Sequence, residues 1–163
     1  MTYPDPRYVG ETGEITASLR PATSEPDLAY ASGTTVDYLA TGQSTDGLFG
    51  LYRWNMGQQP GGPDPHFHRT IAESFYILEG SVRIYTGERW VDTVSGDFVH
   101  VPPGGIHAFR NESGAASMLI HFAPGAPREG YFEGLAEFAR SGRPGPDEMA
   151  EFLRQHDQYS PSR

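Results

Sequence analysis

The chain has 163 residues, no cysteine and a formal net charge of −9 at pH 7. That length fits one domain around one core, the missing thiols exclude disulfides, zinc ribbons and a thiol nucleophile, and the acidic balance disfavours nucleic acid and anionic membranes as partners. With 20 Gly, 14 Pro and only 37% hydrophobic residues, the composition predicts a turn-rich β domain.

In chain order, the opening MTYPDPRYVGETG is polar and proline-containing. It has no basic region followed by an apolar run, so it does not read as a secretory leader. We expect a loose arm to about residue 12, then a short edge strand over Glu14 to Leu19, then a loop through TSEPDLAYASG. Thr34 to Ala40 and Leu48 to Met56 read as strands on either side of the turn cluster TGQSTDG. The loop GQQPGGPDP delivers the chain to His66. Short strands follow at Phe75 to Leu78, Val82 to Tyr85, Arg89 to Val94, Phe98 to Val101, Ile106 to Arg110 and Met118 to Phe122. Turn residues, including NESGA before the last strand, separate most of them. About ten short strands with such punctuation argue for an antiparallel sandwich or barrel. From Tyr131 the period changes: Tyr131, Phe132, Leu135, Phe138 and Ala139 recur at helical spacing, and Asp147 to Asp157 reads as a second helix behind Pro146. The tail SPSR is expected to fray. The expected organisation is an arm with an edge strand (1–33), a β-barrel (34–125) and a helical extension packed on the barrel or on a partner subunit (126–163). No apolar run reaches the ~18 residues of a membrane span, so a cytoplasmic protein is expected.

Four residues carry the chemistry. His66 and His68 are two apart, so on an extended segment they share a face. Glu73 opens a strand whose alternate residues, Phe75 and Ile77, share one face with it. A carboxylate on the inner face of a barrel is costly without a cation to meet it. His107 follows the bend Pro102-Pro103-Gly104-Gly105, which aims it back toward the barrel. Three imidazoles and a carboxylate suit one divalent transition metal (Fe, Ni, Mn, Co, Cu or Zn) and leave one or two coordination positions open on a five- or six-coordinate ion. Tyr52, Trp54, Met56, Phe75, Ile77, Phe109 and His121 are candidates to line a pocket, although aromatic and aliphatic stripes in strands most often form core. His100 sits between two valines on a strand; the default for it is no ligand role.

These residues resemble the two cupin motifs. The first reads His66-x-His68, four residues, Glu73, six residues, Gly80. The second reads Gly96, five residues, Pro102-x-Gly104, two residues, His107, three residues, Asn111. One departure stands in the lead-in, where the family's glycine falls at Pro60 while glycines occupy 61 and 62. The wider segment from about residue 34 to 125 is similar to small single-domain cupins grouped with quercetin dioxygenase. The resemblance implies an all-β double-stranded β-helix, or jelly-roll barrel, with short C-terminal helices, a metal on His66, His68, Glu73 and His107, and a homodimer. It also implies a metal-dependent dioxygenase acting on an enol-type aromatic of flavonol or polyketide kind, with Glu73 taking the substrate's hydroxyl proton. Fold alone transfers function poorly. A non-oxidative isomerase or cyclase, and a cupin that binds a small molecule without chemistry, therefore remain open beside it.

Overall fold

The computed structural model describes residues 2–112 and 114–161. Met1 of the arm, Ser113 of the NESGA turn, and Ser162 and Arg163 of the tail lie outside the described residues. Nine strands and two helices follow one another: β1 (Leu28–Ala29), β2 (Thr35–Ala40), β3 (Gly50–Met56), β4 (Ala72–Glu79), β5 (Ser81–Tyr85), β6 (Trp90–Val94), β7 (Phe98–Val101), β8 (Ala108–Arg110), β9 (Ala116–Ala123), α1 (Glu129–Ser141) and α2 (Pro146–Gln155). All strand pairs are antiparallel. One sheet runs β1-β2-β3-β9-β4-β7 and the other β6-β5-β8. This is the expected jelly-roll barrel.

Alternation decides which side chains fill it. On β9, Ala116, Met118, Ile120 and Phe122 are buried while the residues between them are only partly so. On β4, Glu73, Phe75 and Ile77 point inward and Tyr76 faces out. Val82 and Ile84 of β5 and Phe109 of β8 supply the facing layer. Ring contacts join the two sheets, with Phe109 5.6 Å from Phe75 and 6.2 Å from Trp54. The hydrophobic driving force is thus spent in one layer between the sheets.

Two expectations for the N-terminal region are corrected. Residues 13–20 form no strand; the edge strand is β1, inside the segment read as a loop. Ile15 and Leu19 are exposed and find no strand to pair with. By contrast, Asp27 accepts from the backbone N–H of Tyr38 at 2.8 Å and pairs with Arg20 at 2.9 Å, which holds Leu28–Ala29 against β2. A local hydrophobic alternation cannot register the presence of a partner, and β1 is too short to have a pattern.

The helices lie on the barrel of their own chain. Phe132 of α1 packs 5.2 Å from Tyr52 and 5.0 Å from Trp54. The Tyr52 hydroxyl donates to Glu129 and the Tyr30 hydroxyl to the Phe132 carbonyl. α2 lies on α1 through Phe152, which meets Phe138 at 4.9 Å and Tyr131 at 5.8 Å. Pro146 fits the first turn of α2, where its missing N–H is unneeded. At its other end Asp157 adopts φ 55°, and the N–H of Gln158 returns to the Leu153 carbonyl at 2.9 Å. That reversal ends the helix two residues before the expected limit and sends the chain back across the barrel mouth. Among the described residues no helix is long and apolar enough to cross a membrane.

The lead-in loop is fixed by two residues. A Cβ on Gly62 would stand 1.8 Å from the Phe109 carbonyl oxygen, so only glycine permits this close approach. Asn111, 1% exposed, accepts from the N–H of Gly61 and donates to the carbonyls of Gly57, Gln59 and Gly114. Asn111→Ala strands these buried groups and is expected to cost about 2 kcal/mol. A urea unfolding free energy within about 0.5 kcal/mol of the parent contradicts this clamp role.

Candidate metal centre

Three segments bring the four sequence-predicted ligands together. His66 and His68 stand on the extended lead-in just before β4. Glu73 is the second residue of β4. His107 lies immediately before β8. Backbone bonds set the arrangement: His66 and His107 exchange N–H···O=C bonds of 2.9 and 2.8 Å, and the Gly104 N–H of the Pro-Pro-Gly-Gly bend donates to the His68 carbonyl at 2.7 Å. Phe67, between the two histidines, points the other way and stacks on Tyr159 at 5.6 Å. All four candidate ligands are at most 5% exposed, and one potential ligand atom from each lies within 4.8 Å of the others.

Each imidazole is oriented from behind. The Nδ1 atoms of His66, His68 and His107 lie 2.9, 2.6 and 2.9 Å from the carbonyl oxygens of Asp64, Asp157 and Gly105. A carbonyl only accepts, so Nδ1 carries the proton in each ring and Nε2 is left with a lone pair unless the ring is charged. In front, the Nε2 atoms of His68 and His107 stand 3.0 and 2.8 Å from Oε2 of Glu73. Lone pairs facing a carboxylate oxygen at that distance repel. Protons or a cation must lie between them.

The titration directions agree with this frustration. Burial, then the neighbouring His107 ring, pushes His66 down to about 3, so it is neutral at ordinary pH. Burial pushes the Glu73 carboxyl up, but hydrogen bonds and charge from His107 and His68 outweigh it and hold the group well below the usual carboxylate range. Burial pulls His107 down, yet the hydrogen bond and charge of Glu73 prevail and raise it. The ionised Glu73 thus favours the protonated form of the His107 ring. The donor set therefore fits a divalent ion, which replaces those protons as the counter-charge.

A cavity of about 620 Å³ opens on this cluster. His66 and Glu73 form part of its wall. Of the sequence-predicted pocket residues, the structure brings Trp54, Met56 and Phe109 to it. Tyr52, Phe75 and Ile77 are wholly buried beneath, in the core. His121 lies on the outer face of β9, opposite Ser74, in a small surface hollow with Leu51, Tyr76 and Phe98. His100 is on that same outer face, its Nδ1 3.0 Å from Ser74 Oγ.

Sequence reasoning missed the contribution of the C-terminus. Tyr131, Phe132, Leu135 and Leu153 of the helices form the far wall of the cavity, and Arg128 and Gln158 are buried in it. The Asp157 carboxylate accepts from the backbone N–H groups of Arg69 and Thr70 and from the Thr70 hydroxyl. Its carbonyl then orients His68. Tyr159 pairs with Phe67 through two 3.0 Å backbone bonds. The helical stripe of aromatic residues was a signal for packing, but nothing in its spacing said that the packing surface was a cavity wall.

Residues 54–126 match the Cupin domain family. The chain is 31% identical over 87 residues to quercetin 2,3-dioxygenase of Bacillus subtilis (strain 168), an alignment that covers 53% of this chain and 26% of that one. It is 30% identical over 60 residues to an uncharacterized protein of Aquifex aeolicus (strain VF5), covering 37% and 50% of the two. The chain thus spans a quarter to a half of the length of these curated relatives. Among solved structures, a predicted oxalate decarboxylase from Thermotoga maritima superposes with a TM-score of 0.57 at 16% identity, over 66% of this chain and 99% of that one. The polyketide cyclase RemF from Streptomyces resistomycificus superposes with a TM-score of 0.53 at 22% identity, over 66% and 78%. At those identities they speak for the fold alone. With both histidine motifs lodged in a jelly roll and their four side chains converging at its mouth, residues 54–126 resemble the Cupin domain family in sequence, in fold and in the site.

Proposed function

We propose that this protein is a metal-dependent dioxygenase acting on an enol-type aromatic small molecule of flavonol or polyketide kind, with His66, His68, Glu73 and His107 as the metal ligands. The observation that carries the reading is the convergence of three Nδ1-anchored imidazoles on one buried carboxylate. The likeness to quercetin 2,3-dioxygenase over 87 residues supports the reaction class. A divalent ion held there supplies Lewis acidity and a redox-capable centre facing the cavity.

The chain's own residues do the rest. Glu73 borders the cavity, so its carboxylate can take the proton of an enolic hydroxyl as the substrate enters. Trp54, Met56 and Phe109 offer flat apolar surfaces for an aromatic body. α1 and α2 roof the cavity and exclude water from the anion that forms. Burial of the imidazoles behind carbonyl acceptors keeps their lone pairs forward throughout. The reaction class is insertion of both atoms of dioxygen with carbon–carbon cleavage.

Metal binding should be strongly pH-dependent. Below its raised value the His107 ring holds a proton that an incoming ion displaces, so affinity falls as pH falls. Zinc affinity by calorimetry is expected to drop about tenfold per unit between roughly pH 7 and pH 5. His66→Ala or His107→Ala should weaken it by more than the ~10–100-fold typical of losing an outer partner. A flat profile together with intact binding in these variants excludes the assigned ligands.

Turnover of quercetin by the iron-, nickel-, manganese- or cobalt-loaded protein is the activity test. Glu73→Gln is expected to retain metal better than His107→Ala while losing about 10²–10⁴-fold in rate. Oxygen uptake should match substrate loss. Equal rates with and without air reject the dioxygenase and assign the site to isomerisation or cyclisation.

A homodimer belongs to the same proposal. β7 ends one sheet with Phe98 exposed and Tyr76 of the adjoining β4 exposed beside it, and an apolar sheet edge favours a second chain. Sedimentation at micromolar concentration should give twice the chain mass; a monomer removes this part.

A further inference from the structure

Three polar side chains of the C-terminal extension stand in the cavity without a part in holding a metal. Arg128, Tyr131 and Gln158 are 3%, 6% and 8% exposed, and all three line the cavity that Glu73 and His66 also line. The Arg128 guanidinium lies over the rings of Tyr131, Phe122 and Phe132, at 4.3, 5.0 and 5.7 Å from their centres. One of its nitrogens, Nη1, donates to the His156 carbonyl at 2.6 Å. Its Nε–H is buried with no hydrogen-bond partner, and so is Oε1 of Gln158. Among the described residues no carboxylate lies within ion-pair distance of Arg128.

This is an unusual place for an unpaired cation. The negative group that acts on it most is Glu73. Once a divalent ion occupies the histidine cluster, the charge of Glu73 is taken up there. Arg128 is then a buried charge held only by aromatic faces and one carbonyl. Aromatic faces offset part of the desolvation, but a buried guanidinium is stable in the main when an anion meets its fork. Gln158 bonds the Tyr131 hydroxyl at the same wall, and that hydroxyl can donate its own proton to the flank of such a ligand. Trp54, Met56, Phe109, Leu135 and Phe138 supply an apolar stretch of the wall. A volume of about 620 Å³ accommodates an aromatic body beside both sets of polar groups.

We infer that Arg128, flanked by Tyr131 and Gln158, forms an anion subsite that holds the carboxylate of an aromatic acid while another part of the same molecule reaches the histidine–glutamate cluster. The substrate class is therefore an aromatic carboxylic acid with an enolic hydroxyl, and a neutral flavonol is a poorer fit. This rests on the cavity being the substrate pocket of the proposed enzyme. The rival role for Arg128 is purely to pin the tail through the His156 carbonyl.

Benzoate and its neutral isostere benzamide separate the two. Each is titrated calorimetrically into zinc-loaded parent protein, Arg128→Met and Arg128→Lys, and into His66→Ala without zinc. The expected result is a preference for benzoate of about tenfold or more in the parent and equally in His66→Ala, lost in Arg128→Met and partly kept in Arg128→Lys, with zinc content unchanged by either Arg128 variant. Preference that survives Arg128→Met overturns the subsite, as does a parent that does not distinguish the two probes. Preference confined to zinc-loaded protein and absent from His66→Ala also overturns it, since benzoate is then sitting on the metal. Should Arg128→Met fail to fold, the parent decides: the Arg128 Nε–H proton resonance must shift with benzoate and not with benzamide, and an unmoved resonance ends the proposal. Failure here leaves the metal and oxygen experiments standing, and failure of oxygen uptake leaves the benzoate preference standing.

Discussion

Three backbone carbonyls govern this molecule. Those of Asp64, Gly105 and Asp157 each accept the Nδ1–H of one histidine, and so each ring is compelled to present a bare Nε2 to the same small volume. Against them stands a carboxylate buried to 4% exposure, which cannot lose its charge to water. The conflict between lone pairs and an ionised oxygen is unresolved by the protein itself. A protonated imidazole or a divalent ion between them relieves it, and the donor set fits such an ion.

The rest of the fold serves that geometry. β4 carries Glu73 inward because Phe75 and Ile77 anchor the same face in the core. The glycine-permitted contact at Gly62 and the four hydrogen bonds of Asn111 hold the approach to His66. The third carbonyl comes from far along the chain. A left-handed Asp157 turns the end of α2 back over the barrel, ties itself to Arg69 and Thr70, and so couples the orientation of His68 to the docking of the C-terminal helices. A segment that closes the cavity and a segment that aims a ligand are here the same segment. Loss of helix packing would therefore be felt at the cluster itself.

The cavity joins two sets of polar groups: the histidine–glutamate cluster, and Arg128 with Tyr131 and Gln158. Arg128 is near enough for the charge of Glu73 to act on it. The second set comes from the extension behind the barrel, so the helices that cover the cavity also supply part of its polarity.

Local sequence dictates most of the strands, their turns and the four residues of the cluster. Period-two alternation, glycine and proline punctuation and the i, i+2 spacing of His66 and His68 are local properties, and local sterics enforce them. It also determined that Glu73 would face the core, since Phe75 and Ile77 share its side. Long-range packing chose Leu28–Ala29 and not Glu14 to Leu19 as the edge, because pairing needs a partner that alternation does not record. Only it decided that Trp54 and Met56 border open space while Tyr52 lies beneath a helix, and that His121 turns outward. The Asp157 carbonyl behind His68 and the Arg128 guanidinium on the His156 carbonyl and the Phe122 ring are contacts that helix docking makes. No spacing encodes them, because they arise only when helix docking closes a loop that the local code leaves free.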